Sequence, residues 1–200
     1  METQCGIILL AAGSSSRLGE PKQSLLYHQS TLLEHSIHAA LQSMADQVIT
    51  VLGASAATIK LNIKDEKLSV VVNELWQEGI ASSIRCGLQY LLKRMPVVQS
   101  ALFMVCDQPY ISAALLNKLV TLQRQTGAAI VASEYAGTTG IPAIFDETLF
   151  ADLLQLKGDA GAKKLIMQQP GKIAAVPFPL GNIDIDTAAD YTRLQKNESD

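Results

Sequence analysis

A loop rich in small and polar residues follows the first apolar run of the chain, and its composition suits an anion. The run over residues 6–12 is followed by Gly13, three serines and then the cations Arg17 and Lys22. Small residues let backbone N–H groups approach a phosphate closely, and the two cations can neutralise its charge. The glycine spacing matches neither a Walker A loop nor a dinucleotide-binding fingerprint. The loop therefore predicts a triphosphate site, although an ordinary polar turn with solvated cations has a similar composition.

Aspartates follow a later apolar run and a short segment near the end of the chain, and they are candidate metal ligands. Asp107 comes just after the run over residues 100–105, and Asp186 lies in a short Asp-rich segment. A carboxylate at a strand end can ligate Mg²⁺, which prefers oxygen ligands and nucleotide phosphates. An Asp before a turn is also a common turn residue, and Thr187 with Asp190 has the spacing of a capping box. Each aspartate is thus a weak signal by itself.

Two serines stand in the first turn of a helix that we expect to open near Gly79. Ser82 and Ser83 have the positions of capping residues, but the same geometry presents hydroxyl and N–H groups to a ligand. Gly87, further along this helix, costs about 1 kcal/mol relative to alanine. Either close packing or close approach of the backbone to a ligand could offset that cost.

The other reactive residue types form no recognisable site in the sequence. His28, His35 and His38 lack a neighbouring acidic or cysteine cluster, so we expect no metal site there. No Ser/His/Asp or Cys/His arrangement is visible, so covalent nucleophilic catalysis is not expected.

The elements that must position these residues alternate between strands and helices. Apolar runs of strand length, which we expect to be covered on both faces, are found at residues 6–12, 47–52, 68–72, 100–105 and 128–132. Amphipathic helices separate them, with a Thr31–Glu34 capping box before one and Ser112 as the N-cap of another. This alternation predicts an α/β fold: a mostly parallel sheet with helices on both faces, in three α/β/α layers.

After residue 132 the pattern changes. It predicts a strand at 141–145, two short helices around Gly158, and short strands at 173–176 and 182–185. We expect these elements to form an edge of the same domain, because no linker-like stretch divides the chain. The prediction is therefore one domain over residues 1–200, with residues 195–200 as a frayed tail.

Composition narrows the classes of protein. The chain has 200 residues, of which 48% are hydrophobic and 18% charged, so intrinsic disorder is not expected. A net charge of −3 argues against a nucleic-acid partner. The apolar stretch at residues 7–12 is too short for a signal core or a membrane span. Three widely spaced cysteines suggest neither a disulfide framework nor a zinc site. We therefore expect a cytoplasmic protein with no membrane partner.

In their order along the chain, these motifs resemble those of the nucleotidyltransferases related to MobA and MocA. The resemblance covers residues 6 to about 194. Its segments are Leu10-Ala11-Ala12-Gly13, Arg17 with Pro21-Lys22-Gln23, Asn73 with Trp76 and Gly79, Ser82-Ser83-Ile84-Arg85 with Gly87-Leu88, Cys106-Asp107-Gln108-Pro109, Gly140-Ile141-Pro142-Ala143-Ile144-Phe145, Gly158-Asp159-Ala160-Gly161-Ala162 and Asp184-Ile185-Asp186-Thr187.

The resemblance implies a Rossmann-like nucleotidyltransferase domain, which moves a nucleoside monophosphate from an NTP to the terminal phosphate of an acceptor and releases pyrophosphate. The similarity is greatest to molybdenum cofactor cytidylyltransferases, whose substrates are CTP and molybdopterin carrying molybdenum. The Ala-Ala-Gly sequence of the first loop and Gln108 both favour cytidine. One departure is Ile141, at an acceptor-side position where many of these cytidylyltransferases carry His. A molybdoenzyme or its maturation chaperone is the protein partner that the resemblance implies.

The resemblance also implies roles for single residues. Asp107 would hold Mg²⁺ on the nucleotide with Asp186 as a second ligand, Lys22 would lie near the α-phosphate, and Arg17 near the leaving phosphates. The other residues expected at the nucleotide are Leu10, Ala11, Ala12, Gly13, Ser14, Ser15, Ser82 and Ser83. Those expected on the acceptor side are Gly140, Pro142 and Asp159.

Other functions remain open at this point. Guanylyl transfer to molybdopterin and cytidylyl transfer to a polyol or sugar phosphate use similar first loops. A carrier of the molybdenum cofactor without catalytic activity is the alternative from another class. Such a carrier would bind its ligand without releasing pyrophosphate.

Overall fold

A computed structural model describes residues 4–15, 18–59, 61, 63–168 and 173–197. Its strands are β1 (Cys5–Ala11), β2 (Leu26–Tyr27), β3 (Ser30–Thr31), β4 (Gln47–Leu52), β5 (Leu68–Val72), β6 (Ser100–Val105), β7 (Ile130–Tyr135), β8 (Thr138–Asp146) and β9 (Ile173–Pro177). Its α-helices are α1 (Leu32–Leu41), α2 (Ile80–Arg94), α3 (Ala113–Thr126), α4 (Phe150–Leu154), α5 (Lys163–Gln168) and α6 (Ala188–Asn197).

Seven strands form one sheet in the order β5-β4-β1-β6-β8-β7-β9. The first four of these pair in parallel, and so do β7 and β9. Only β8 runs antiparallel to its neighbours β6 and β7. The mostly parallel sheet is therefore confirmed. Because β8 runs in the opposite direction to β6, it begins at the edge of the sheet where β1 and β6 end.

Each face of the sheet carries its own hydrophobic core, because successive side chains of a strand point to opposite faces. On β1, Ile8 and Leu10 pack with α2, α4 and α5, whereas Ile7 and Leu9 pack with α1 and α3. Burying one such side chain contributes roughly 1.5–3 kcal/mol. The three-layer α/β/α arrangement is confirmed.

The predicted helix starts are confirmed by hydrogen bonds. The Thr31 hydroxyl accepts from the backbone N–H of Glu34, whose carboxylate accepts from the N–H of Thr31. The Ser112 hydroxyl accepts from the N–H of Leu115 at the start of α3. These bonds fix where α1 and α3 enter the layer beside the sheet.

Gly87 lets α2 lie close to the sheet. A Cβ at this position would lie 2.5 Å from Cγ2 of Ile8 and 2.8 Å from Cγ2 of Val51. Both are side chains of the buried core, not of the cleft described below. Of the two explanations for this glycine, close packing is the one that the structure supports.

Three predictions about elements are corrected by the structure. β5 is an edge strand, and Val70 and Val72 are 44% and 47% exposed, so it is not covered on both faces. Residues 182–185 form no strand. Residues 195–197, predicted as part of a frayed tail, belong to α6, and residues 198–200 lie outside the described part.

Two hairpins were not predicted. β2 and β3 form a two-stranded ladder beside α1, and β7 and β8 extend past their predicted bounds to meet at Ala136 and Gly137. Both turn residues have positive φ, of 49° and 74°, which is the geometry of a tight two-residue hairpin turn. Across the described ranges, no helix is both long enough and apolar enough to span a membrane.

Candidate active site

A cleft of about 370 Å³ lies at the carboxyl ends of β1 and β6. Ligands of open α/β sheets bind at this edge. The residues that line the cleft are Leu10, Ala11, Ala12, Gly13, Ser14, Lys22, Gln23, Trp76, Gln77, Gly79, Ile80, Ser83, Val105, Cys106, Asp107 and Asp159. The cleft thus brings together the first loop, the start of α2 and the end of β6, which are far apart in sequence.

Lys22 joins two aspartates from distant parts of the chain. Its Nζ donates to Oδ2 of Asp107 at 2.7 Å and to Oδ1 of Asp186 at 2.8 Å. Lys22 and Asp107 line the cleft, and Asp186 reaches it through this contact. Three residues predicted to act on the phosphates and the metal therefore meet at one point.

The charge of Lys22 is set by two opposing effects. Burial favours the neutral amine and lowers the pKa of Lys22, but the charges and hydrogen bonds of Asp107 and Asp186 outweigh it. The result is a pKa well above the ordinary value for lysine. Lys22 is therefore a permanent cation at neutral pH.

The same two carboxylates fit a divalent metal ion. Both place an oxygen within 2.8 Å of a single cation, the Lys22 ammonium. Mg²⁺ usually takes one or two protein carboxylates and completes its shell with water and substrate phosphates. Within the ranges that the structure describes, no group of three or more His, Cys, Asp or Glu side chains could hold a metal. The donor set therefore fits a metal whose remaining ligands are water or substrate phosphates.

A third acidic residue lies near this pair. Burial raises the pKa of Asp184, and the negative charges of Asp107 and Asp186 raise it further. The three carboxyl groups concentrate negative charge beside Lys22, an environment that favours a cation.

Gln23, the residue after Lys22, fixes the backbone of the first loop through hydrogen bonds. The side-chain amide of Gln23, which is buried, donates to the carbonyl oxygens of Ala11 at 2.8 Å and Gly13 at 3.1 Å. The backbone N–H of Lys22 donates to the hydroxyl of Ser15, which has a positive φ of 53°. Gln23 and Ser15 thereby fix the loop in a shape whose backbone borders the cleft.

The opposite wall is organised by Asn73. Its side-chain NH₂ donates to the hydroxyl of Ser82 at 2.8 Å and to that of Ser83 at 3.0 Å. Ser83 lines the cleft, and its contact with the base stays a prediction. The Ser82 hydroxyl instead lies 2.8 Å from the carbonyl oxygens of Leu75 and Gly79 and does not line the cleft. Of the two predicted serines, the structure brings only Ser83 to the cleft.

Asp159 lies on the same cleft, beside the start of α2. A Cβ at Gly79, which has a φ of 94°, would lie 2.5 Å from Oδ1 of Asp159 and from the carbonyl oxygen of Gly158. The Gly158 carbonyl accepts from the N–H of Ala81. Only glycine fits at position 79, and its absence of a side chain lets the Asp159 loop close this end of the cleft.

The other two residues predicted on the acceptor side do not line the cleft. Gly140 and Pro142 lie on β8, at the same edge of the sheet as Asp107. The carbonyl oxygen of buried Pro142 accepts from the hydroxyl of Ser133 at 2.7 Å. Gly140 lies against the hydroxyl of Tyr135. Arg17, the remaining predicted catalytic residue, lies outside the described part of the chain.

Cys106 and Gln108, the two neighbours of Asp107 in sequence, are buried. Burial raises the pKa of Cys106 to about 12, so its thiol stays protonated and is not a nucleophile at neutral pH. Gln108 is 4% exposed, does not line the cleft, and donates through its amide to the carbonyl oxygen of Gly181 at 2.8 Å. Gln108 therefore makes no contact with the base site in this structure.

Several residues of the cleft were missed as site residues. Gln23, Asn73 and Trp76 stand in the motifs that carry the resemblance, and this was the signal for them. Trp76 lines the cleft and also packs against the hydrophobic core. Gln77 and Ile80 carry no sequence signal, because only the fold brings them there.

Comparisons with known proteins agree on one family. A family model described as "MobA-like NTP transferase domain" matches residues 7–173. Nicotine blue oxidoreductase of Paenarthrobacter nicotinovorans is 28% identical over 198 residues, covering 94% of each chain. Purine catabolism protein PucB of Bacillus subtilis (strain 168) is 27% identical, covering 94% of this chain and 95% of the relative. Molybdenum cofactor cytidylyltransferase of Escherichia coli (strain K12) is 23% identical, covering 92% of each chain.

Solved structures include similar chains of nearly the same length. Rv0371c of Mycobacterium tuberculosis H37Rv superposes with a TM-score of 0.84 at 32% identity, covering 98% of this chain and 100% of the other. A second structure of Rv0371c, in complex with manganese, has a TM-score of 0.73 at 30% identity, covering 97% and 99%.

Proposed function

The chain belongs to the family of MobA-like NTP transferase domains, and from this premise we propose that it transfers CMP from CTP to the terminal phosphate of molybdopterin. The acceptor phosphate oxygen forms a bond to the α-phosphorus of CTP, the bond from that phosphorus to the β-phosphate oxygen breaks, and pyrophosphate leaves. The relatives that match nearly the whole chain carry different names, so molybdopterin as acceptor rests on the resemblance of the motifs and needs a direct test.

The observation that carries the proposal is the contact of Lys22 with Asp107 and Asp186 at the edge of the cleft. Phosphoryl-type transfer leaves little covalent work for a protein, so positioning and neutralisation of charge dominate. The residues of this cluster supply a fixed cation and two oxygen ligands in one place. This combination suits a triphosphate that binds together with a metal ion.

Mg²⁺ held by Asp107, with Asp186 as second ligand, would neutralise charge on the triphosphate. The relative solved with manganese is consistent with a divalent ion in this family. Lys22 would then donate to the α-phosphate, where negative charge must be stabilised during attack. Arg17 would lie beside the leaving phosphates.

The acceptor needs no strong general base. Its terminal phosphate is already ionised at neutral pH, so it can attack as an anion. The protonated thiol of Cys106 leaves the cleft without a thiolate that could compete for the α-phosphorus. We therefore propose direct transfer from CTP to the acceptor.

Preference for cytosine is proposed to come from the first loop and Ser83. Ala12 lines the cleft, and Ser83 lines its opposite wall. Cytosine has one ring and guanine two, so the methyl costs cytosine little and crowds guanine. Overpacking of this kind costs about 1–3 kcal/mol, or roughly ten- to a hundredfold in preference.

A panel of acceptors and nucleotides tests the proposal. Pyrophosphate release is measured with CTP or GTP, and with molybdopterin, a polyol phosphate or a sugar phosphate as acceptor. We expect release with CTP and molybdopterin. Pyrophosphate release with another acceptor instead would show that this acceptor, and not molybdopterin, is the substrate. Tight binding of molybdopterin without any pyrophosphate release would favour a cofactor carrier.

The Ala12→Gly variant tests the steric account of base preference. We expect the ratio of kcat/KM for CTP over GTP to fall by about tenfold, because the methyl no longer crowds guanine. Ala56→Gly, outside the cleft, is the matched control and should leave the ratio unchanged. A wild type that prefers GTP would overturn the base assignment, whereas an unmoved CTP preference in Ala12→Gly would overturn only its steric cause.

A further inference from the structure

We propose that Gln108 is a positioning residue that holds the segment of residues 181–186 so that Asp186 reaches Asp107 and Lys22. The inference rests on the proposed function, because it gives Asp186 the task of a metal ligand. It differs from a role in base recognition, since the Gln108 side chain lies in the interior, away from the cleft.

The segment that carries Asp186 has no regular secondary structure to hold it. Residues 181–186 lie between β9 and α6 and form neither strand nor helix. Hydrogen bonds join the segment to the residues that follow β6, and one of them links Gln108 to the side chain of Asp184. The amide of Gln108 donates to the carbonyl oxygen of Gly181 at 2.8 Å, and the N–H of Ile185 donates to the carbonyl oxygen of Asp107 at 2.9 Å. These links, together with the Lys22 contact, hold the Asp186 carboxylate in place.

Tyr135 packs against Gly181, the residue to which Gln108 donates. A Cβ at Gly140 would lie 2.2 Å from the hydroxyl oxygen of Tyr135, and one at Gly181 would lie 2.4 Å from Cδ1 of its ring. The two glycines thus leave room for the Tyr135 ring, and Gly181 leaves room for the Phe178 ring as well. Burial raises the pKa of Tyr135, while its hydrogen bond with Gln108 has the opposite effect. This packing explains why glycine stands at position 140 without assigning it to the acceptor.

The links run from β7 and β8 through Gln108 to Gly181 and thus to Asp186. Gln108 directly follows Asp107, so one short stretch of chain positions both carboxylates relative to each other. Removing its amide leaves the buried carbonyl of Gly181 without this donor, and the segment is free to relax. A residue that orients a metal ligand through a hydrogen bond is typically worth about 10–100-fold in metal affinity or activity.

The test is Mn²⁺ binding to the full chain without nucleotide, followed by electron paramagnetic resonance, in wild type and in Gln108→Met. Methionine keeps the length and volume of glutamine but removes the amide donor. The matched control is Gln123→Met on α3, where a similarly buried amide lies outside the cleft and outside the 181–186 segment. We expect Mn²⁺ affinity to fall by about tenfold in Gln108→Met and to stay unchanged in Gln123→Met.

Turnover supplies a second readout, which a loss of general stability would not reproduce. In Gln108→Met we expect kcat at low metal concentration to fall by about tenfold while KM for CTP stays the same, and high Mn²⁺ to restore kcat. Tyr135→Phe, which keeps the ring and removes only the hydroxyl, should show the same pattern in weaker form.

The outcomes separate this inference from the proposed function. Suppose that Asp107→Ala weakens Mn²⁺ binding but Gln108→Met binds Mn²⁺ as tightly as the wild type does. This result would overturn the positioning role alone. Equal losses in Gln108→Met and Gln123→Met would also overturn it, because the effect would then be general. A wild type whose Mn²⁺ binding does not depend on Asp107 would overturn the metal site itself and this inference with it.

Discussion

The single ammonium group of Lys22 donates hydrogen bonds to two carboxylates and neutralises part of their negative charge at the cleft. Its Nζ contacts Asp107 and Asp186 where the proposed metal ion would share the same oxygens. A metal ion and the ammonium cannot both occupy that position. Metal binding should therefore displace Lys22, and the phosphates of a nucleotide offer it new acceptors. In this account Lys22 neutralises the carboxylates in the empty cleft and the α-phosphate in the filled one.

The Lys22→Ala variant tests both roles. We expect kcat to fall by about 10²-fold, because the charge acts chiefly in the transition state. We also expect tighter Mn²⁺ binding without nucleotide, since a competing cation has been removed. Steady-state kinetics and metal titration measure the two effects, with Lys118→Ala on the exposed side of α3 as control. If only KM changes, Lys22 is a uniform binding group and the proposed role is wrong.

A single residue was predictable from sequence where its residue type, such as a charged Lys or Asp, is enough to suggest its role. Lys22 and Asp107 were predicted for one site, and the structure brings them together. The roles of Gln23 and Gln108 were not predictable, because their partners are backbone carbonyls that only the fold brings near. Asp159 lies on the cleft beside Gly79, and its place on the acceptor side stays a prediction.

Helix α2 links the packing of the core to the geometry of the cleft. Its first turn carries Ser83 to the cleft, while Gly87 one turn later lies against β1 and β4. The close approach at Gly87 sets the distance of the whole helix from the sheet. A shift of this helix would move Ser83 relative to the first loop.

Replacing Gly87 by alanine should destabilise the protein despite the better helix propensity of alanine. The gain in propensity is about 1 kcal/mol, whereas overpacking against Ile8 and Val51 costs about 1–3 kcal/mol and backbone shifts add to it. Urea unfolding should show a lower midpoint. Gly161→Ala, whose new Cβ would lie 3.7 Å from the nearest side-chain atom, should change it little. A higher midpoint in Gly87→Ala would contradict the close-packing explanation.

Strands and helices were predictable where the pattern of apolar residues within one segment is strong. The bounds of β4, β5 and β6 agree with the predicted runs, since each is a mostly apolar stretch of strand length. The β7–β8 hairpin was missed because its outer half is polar, around Glu134 and Thr138–Thr139. Residues 182–185 alternate like a strand, but Asp184 and Asp186 are turned toward the Lys22 cluster and no neighbouring strand pairs with them.

At the scale of the whole molecule, the two cores share the same strands. Neighbouring residues of β1 pack on opposite faces, so neither core can lose its packing while the other keeps the sheet intact. We therefore propose that residues 1–200 form one cooperative domain. Urea unfolding followed by circular dichroism and by the fluorescence of Trp76, the one tryptophan of the sequence, should give coincident transitions. Two separated transitions would show that part of the chain unfolds independently.

The central claim is that the cleft moves a nucleotidyl group from CTP to an acceptor phosphate, with Asp107 holding the metal ion. The most direct measurement follows CTP labelled at the α-phosphorus in a single turnover with Mg²⁺ and molybdopterin. We predict that the label appears covalently on the acceptor with the wild type and with the Asp152→Ala control. Asp107→Ala should stay folded and transfer no label. Label that remains in CTP with the wild type, or transfer by Asp107→Ala at a near-normal rate, would contradict the account.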